Sequence, residues 1–412
     1  MSRLRGRVRG LAIRTGAATP AGRDRTVDAL RALAITGVIL GHWLVTALVA
    51  ARGPEGAVLR DASPLAAMPA LDPLSWLFQT LAVFFLVGGY ASARSYAGSG
   101  RAGEYHGGSY RARGYRAWLG RRLARLGRPV AVLAAVWVPL AAGLAASGVA
   151  QPTVATVVRL VASPLWFLGV YAGLTALTPV ALALVRRLGA WAAALPAAVV
   201  AGTDLARFGL GGPAWAGWVN VAAGWLVPYL LGIAWARGSF RGRTAPALLL
   251  AGGAAATAAL VRWGGYPASM VGVNGAGISN LNPPTLAAVT FGIAQVGLAL
   301  LVRGWLARRL CRPLAWLAVA TVNLSAMTLF LWHQSALVAV SLAGSLAGRP
   351  PGLLSAPSGA AWVAQRLGWL PVFAAALAGC WLLFARLERG PQRRAVPAGG
   401  ARPVASLSGQ QS

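Results

Sequence analysis

The chain has 412 residues, 57% of them apolar or aromatic and only 11% charged, and its mean hydropathy is +0.62. A soluble domain carries about a quarter charged residues, so an ordinary soluble enzyme, a disordered chain and a disulfide scaffold are all excluded. The net charge of +30 comes from 38 basic residues, every one arginine, against 8 acidic ones. Arginines that flank apolar runs point to a membrane-embedded body rather than to nucleic acid.

In chain order, residues 1–22 form a basic, Gly/Ala-rich tail without the apolar core of a signal peptide, and disorder is expected there. Ten candidate spans follow, at 30–51, 74–93, 129–146, 165–185, 190–205, 217–236, 245–261, 285–302, 325–344 and 367–384. Each is near the ~20 residues that a helix needs to cross ~30 Å of hydrocarbon. The fifth, interrupted by Pro196, is the weakest. Residues 314–324 read as an interfacial stretch before the ninth span. The loop 95–119 is rich in Gly, Tyr and Arg and is expected to fold over the membrane surface. Residues 387–412 form a Pro/Gly/Ser tail without apolar periodicity and read as disordered. The expected fold is all-α and polytopic, with about ten transmembrane helices in one body at 23–386.

Arginine placement orients this map. If the spans alternate from a cytoplasmic N-terminus, 31 of the 38 arginines lie on the inner side. That asymmetry follows the positive-inside rule and puts both termini in the cytoplasm of a multi-pass cell-membrane protein.

Few residues carry chemistry. Cys311 sits in a basic loop and Cys380 in an apolar run, and with His42, His106 and His333 as the three histidines no metal site is expected. His106 reads as a surface residue of the basic loop. Ionisable groups inside spans are costly and tend to be functional. His42 lies about twelve residues into the first span, or ~18 Å at the helical rise. His333 lies ~12–15 Å into the ninth. Both spans run in the same direction, so the two imidazoles can converge on one buried site. Arg31 and His42 are eleven positions apart, about 20° from the same helical face and ~16 Å along the axis. Asp28 precedes Arg31 by three positions and is placed to pair with it. A guanidinium at the mouth and an imidazole near mid-membrane suit a long ligand with an anionic head and a thin reactive arm, the shape of an acyl-coenzyme A. A second cluster, Arg121, Arg122 and Arg125, opens the third span and suits phosphates as well as it suits topology anchoring. Arg31 likewise has the alternative of a snorkelling anchor.

At these residues the sequence resembles the membrane acyltransferase family 3, the O-acyltransferases of bacterial surface glycans and natural products. The segment from Arg23 through Asp28 and Arg31 to Gly41-His42 is similar to the family's first helix. Phe84-Phe85-Leu86-Val87-Gly88-Gly89-Tyr90 resembles its FFxxSG stretch, with Gly88 where the family has Ser. Arg122-Leu123-Ala124-Arg125 matches its RxxR motif. Leu165-Trp166-Phe167-Leu168 and Leu329-Phe330-Leu331-Trp332-His333 resemble its LWFL and YLWH segments, and Asn282-Pro283-Pro284-Thr285 is also similar. The tail is too short for the soluble SGNH domain that follows the helices in some members, so a stand-alone member is expected.

The resemblance implies transfer of an acetyl or short acyl group from a cytoplasmic acyl-CoA co-substrate to a hydroxyl of a carbohydrate, glycolipid or natural-product acceptor, with no tightly bound cofactor. His42 is expected as general base, with His333 orienting the acceptor or stabilising charge on the thioester oxygen. Asp28, Arg31, Arg121, Arg122 and Arg125 are expected to bind the donor, and Tyr90, Trp166, Trp332 and Asn282 the acceptor. The rival reading is a transporter or flippase for a polar lipid or sugar with the histidines as proton relay.

Overall fold

The structure is a computed structural model, and it describes residues 2–20, 22–53, 56–101, 108–272, 277–348 and 350–388. Ten helical segments among these residues are long and apolar enough to cross a membrane, as the hydropathy pattern predicts.

Helix α1 (Ser2–Ala17) occupies most of the tail expected to be disordered. Ala12 is completely buried, and the helix packs on α13 (Pro313–Leu324). Trp316 of α13 donates its indole N–H to Thr19 (2.8 Å), and Arg25 lies over the Trp316 ring. A short apolar stripe among the arginines thus finds a partner helix, which the local composition does not reveal. Helix α2 (Arg25–Val45) starts where Asp24 accepts from the amides of Thr26 and Val27, an N-cap that complements the helix dipole.

The first span ends at Val45 rather than near 51. Strands β1 (Ala47–Gly53) and β2 (Gly56–Ala62) form an antiparallel hairpin with Ala47 opposite Ala62. Its inner face buries Leu48 and Leu59, and the Leu59 amide donates to Thr153 Oγ1 at 2.9 Å. The apolar side chains of 47–51 are ones that either a span or a strand accepts, so hydropathy alone extends the span through them. A short helix, α3 (Pro64–Ala67), and a 3-10 turn at Pro69–Trp76 lead into α4 (Leu81–Arg101).

Helix α5 (Gly108–Ala146) is continuous over 39 residues, so much of the expected surface loop is helix. His106 lies outside the described residues. The fourth span is split into α6 (Gln151–Ala162) and α7 (Leu165–Ala176) at Ser163-Pro164, and it begins at Gln151, well before the expected start at 165. Helix α8 (Thr178–Leu188) carries Arg186 and Arg187, and α9 (Ala194–Asp204) completes the fifth span. Helices α10 (Val219–Ala236), α11 (Thr244–Trp263) and α12 (Leu286–Arg309) follow. After α13 come α14 (Ala326–Leu346) and α15 (Ala360–Glu388). Of the expected disordered C-terminal tail, Leu387 and Glu388 form the last turn of α15; the remainder, 389–412, lies outside the described residues.

Helices α2, α10 and α14 are the most enclosed, whereas α5, α11 and α15 present most of their surface outward. The tightest crossing is α4 on α10. A Cβ at Gly89 would lie 2.0 Å from the Tyr229 carbonyl oxygen, and one at Gly232 would lie 2.0 Å from that of Leu86. Small residues permit such backbone contact between helices in lipid, and α4 packs on α2 as well.

Candidate active site

The site is assembled from α2, α5, α7 and α14. His42 and His333 meet as the helical arithmetic requires, with ring centroids 5.0 Å apart. The backbone carbonyl of Phe330 lies 2.6 Å from His333 Nδ1, and a carbonyl only accepts. The neutral His333 ring therefore carries its proton on Nδ1 and turns a lone pair out at Nε2. That Nε2 is buried without a partner, and His333 is fully enclosed. Trp43, beside His42, donates its indole N–H to the His333 carbonyl at 2.9 Å, which locks the two helices at this level. Gln334 completes the group, its amide nitrogen 3.1 Å from His42 Nδ1.

Two cavities approach this group. The larger, about 620 Å³, is lined by Arg31 of α2 and by Arg121, Arg122, Arg125 and Arg128 of α5. Glu388 is the one carboxylate among its lining residues. The smaller, about 260 Å³, is lined by His42, Trp166 and mostly apolar side chains. Phe167 and Phe330 line both cavities, and their ring centroids are 5.1 Å apart. This aromatic pair forms the wall between them. Arg31 and His42 thus face different cavities: the ~16 Å that separates them along one helix carries them past the wall.

The expected donor residues divide. Arg31, Arg121, Arg122 and Arg125 all line the arginine cavity. Arg122 also donates to the Ala91 carbonyl at 3.1 Å and lies over the Trp118 ring. Asp28 does not line the cavity. It is buried and bonded to Arg23 Nε (2.5 Å) and Nη2 (3.2 Å), while Arg31 stands 3.9 Å away. Asp28 thus keeps the ion pair with Arg31 that helical spacing predicts, at longer range, while Arg23 across the N-terminal turn takes it in close hydrogen bonds.

Of the expected acceptor residues, Trp166 lines the His42 cavity. Tyr90 packs on Trp235 and donates to Asp24 at 3.2 Å. Trp332 donates to Glu388 at 2.9 Å and stacks on Phe384. Asn282 lies in the α11–α12 connection, its backbone N–H donating to Ser279 Oγ, and lines neither cavity. Tyr90 and Trp332 are therefore spent within the fold. Gly88 stands against the Tyr171 ring, 2.6 Å from where a Cβ would be, so this chain has no room for the family's Ser unless Tyr171 moves.

Several residues of the site give no sequence signal of their own. Arg366 stands one residue before the tenth span expected at 367–384, yet it is fully buried in α15, lines the His42 cavity and donates to the carbonyls of Trp43 (2.7 Å), Gly352 and Thr46. Two of those carbonyls end α2, where a positive charge complements the helix dipole. Glu388 accepts from Thr328 as well as from Trp332. A separate polar knot lies away from both cavities: Asp204 accepts from Asn220, Tyr266 and the Leu286 amide. Burial, then the Asp204 charge, pushes the Tyr266 hydroxyl well above the usual phenol range.

No group of three or more metal-binding side chains occurs among the described residues. No curated protein and no solved structure matches the chain. The family model described as an acyltransferase domain, that of acyltransferase family 3, matches residues 24–385. That range runs from the cap of α2 to the last turns of α15 and takes in every residue that lines the two cavities except Glu388, so the chain belongs to acyltransferase family 3, a family of membrane O-acyltransferases.

Proposed function

We propose that this protein moves an acetyl or short acyl group from an acyl-coenzyme A to a hydroxyl of a carbohydrate, glycolipid or glycosylated natural product. The observation that carries this reading is the division of the site by Phe167 and Phe330, with guanidinium groups on one side and an imidazole on the other. Five arginines around one cavity match the phosphates of coenzyme A, since guanidinium forks pair with phosphate oxygens. The pantetheine arm then passes the aromatic wall to bring its thioester carbonyl to His42. With both termini cytoplasmic, as the arginine asymmetry favours, the arginine cavity opens to the cytoplasm of the cell and meets its donor there.

His42 acts as general base. Its Nε2 takes the proton of the acceptor hydroxyl as the oxygen attacks the thioester carbonyl carbon. The C–O bond forms, the C–S bond breaks, and the proton passes to the departing coenzyme A thiolate. Nε2 is free for this role when Nδ1 carries the ring proton and donates it to Gln334 Oε1. That oxygen is buried without a partner, and turning the Gln334 amide end for end gives it the Nδ1–H. Amide orientation is set by such networks. His333 packs beside His42. In its neutral form its buried Nε2 is an acceptor, which suits holding a proton or a polar hydrogen rather than donating to an oxyanion. Donor binding by the arginines is separable from chemistry: in proteoliposomes, loss of the Arg125 guanidinium is expected to weaken use of acetyl-CoA while sparing the acceptor.

The transporter reading needs titratable partners along the spans. The buried carboxylates Asp28, Asp204 and Glu388 are each held by two or more hydrogen bonds, which favours the enzyme.

A further inference from the structure

We infer that the acceptor is an amphiphile whose apolar body fills the His42 cavity and whose single reacting hydroxyl meets His42. The inference rests on the acyl-transfer reading of that cavity and narrows its substrate class, favouring a glycolipid or a natural product with an apolar body over a free sugar.

The argument is an inventory of hydrogen-bonding capacity. Sugar sites offer several free donors and acceptors, because each hydroxyl taken from water must be paired again. Here much of the polar lining is already engaged. Ser75 Oγ donates to the Asp72 carbonyl (2.5 Å) and accepts from the Met270 amide (2.8 Å). Ser163 Oγ donates to Leu160 (2.7 Å). Arg366 spends all three nitrogens on backbone carbonyls. The Trp362 indole donates to Ser355 (3.1 Å) and Gln79 Oε1 accepts from the Leu81 amide (3.1 Å). What remains for a ligand is His42 with the amide N–H groups of Gln79, the indole N–H of Trp166 and two guanidinium N–H groups of Arg366, enough for one polar head, set among leucines, valines and aromatic rings. A cavity filled by sugar rings would leave most of their hydroxyls unpaired, whereas an alkyl, isoprenoid or polyketide body behind a single polar head at His42 loses nothing there.

The mouth of the cavity points the same way. Leu74, Leu367 and Trp166 line it and are 56%, 49% and 44% exposed. On a protein of ten apolar spans, an apolar rim opens toward lipid, so the acceptor enters sideways from the bilayer with its apolar part first.

Two measurements test this. In nanodiscs with acetyl-CoA as donor, methyl, hexyl and decyl glucoside and free glucose serve as acceptors. The expected result is a rise in kcat/KM of at least tenfold from methyl to decyl, with glucose used least. A flat series, or glucose preferred, overturns the inference. Occupancy is read separately from catalysis. In a Cys311→Ser, Cys380→Ser background, Ser163→Cys is modified with a thiol reagent, with Leu382→Cys on the lipid-facing side of α15 as control. Decyl glucoside is expected to slow modification at position 163 and not at 382, and glucose to do neither. Equal protection by glucose, or none by decyl glucoside, sinks the inference. Selective protection without any acyl transfer upholds it and overturns the acyltransfer mechanism instead.

Discussion

Gln334 of α14 reaches across to α2 and sets its amide 3.1 Å from Nδ1 of His42. This one contact decides what the imidazole does. An amide oxygen there accepts the Nδ1 proton and leaves Nε2 as a base; an amide nitrogen there donates and leaves Nε2 protonated. Catalysis by His42 requires the first arrangement.

Replacing Gln334 tests that requirement. Gln334→Leu removes the tautomer-fixing partner and is expected to lower kcat roughly 10- to 100-fold, a part of the 10²–10⁴ that a positioned base contributes. The donor KM should change little. Gln334→Glu keeps an acceptor at Nδ1–H and should retain most of the activity. Steady-state kinetics in proteoliposomes separate the pair, and wild-type kcat in Gln334→Leu contradicts the assignment.

The arginine cavity makes a kinetic prediction of its own. Arg122→Ala with Arg125→Ala should raise KM for acetyl-CoA more than KM for the acceptor. Arg125→Ala alone is the cleaner probe, because Arg122 also holds the Ala91 carbonyl. Equal effects on both substrates would mark these residues as anchors.

The wall between the cavities should keep water from the thioester. Phe330→Leu thins it while preserving an apolar side chain. The expected outcome is faster coenzyme A release without acceptor acylation, read with a thiol reagent beside product analysis. Unchanged coupling would show that the Phe167–Phe330 pair is packing alone.

The α4–α10 crossing predicts a sharp contrast between glycines. Gly89→Ala puts a methyl 2.0 Å from the Tyr229 carbonyl oxygen and should abolish the monodisperse folded peak in size-exclusion chromatography. Gly120→Ala on α5 meets nothing within 4 Å and should be tolerated. Similar yields of the two would mean the helices do not cross as described.

These residues also show what was legible beforehand. The pairing of His42 with His333 follows from helix direction and rise, and the arginine cavity from clustered charge. The ten spans follow from hydropathy, although split helices such as α6 and α7 keep the same apolar signal and blur its limits. The β1–β2 hairpin escapes because its residues suit a span equally well. Arg366 escapes because a buried guanidinium satisfied by backbone carbonyls looks, in sequence, like any cation near a helix end. Gln334 carries no charge and no motif, and only its neighbour across the helix interface gives it a role. The aromatic wall escapes for another reason: a shared helical face says nothing of which cavity each residue meets, so Arg31 and His42 read as one path.

The base assignment is tested most directly by His42→Ala in proteoliposomes supplied with acetyl-CoA and a hydroxylated acceptor. The variant should elute from size exclusion as the wild type does and still bind acetyl-CoA, while acyl transfer falls by about 10²–10⁴. Turnover near the wild-type rate in that folded variant would contradict the account.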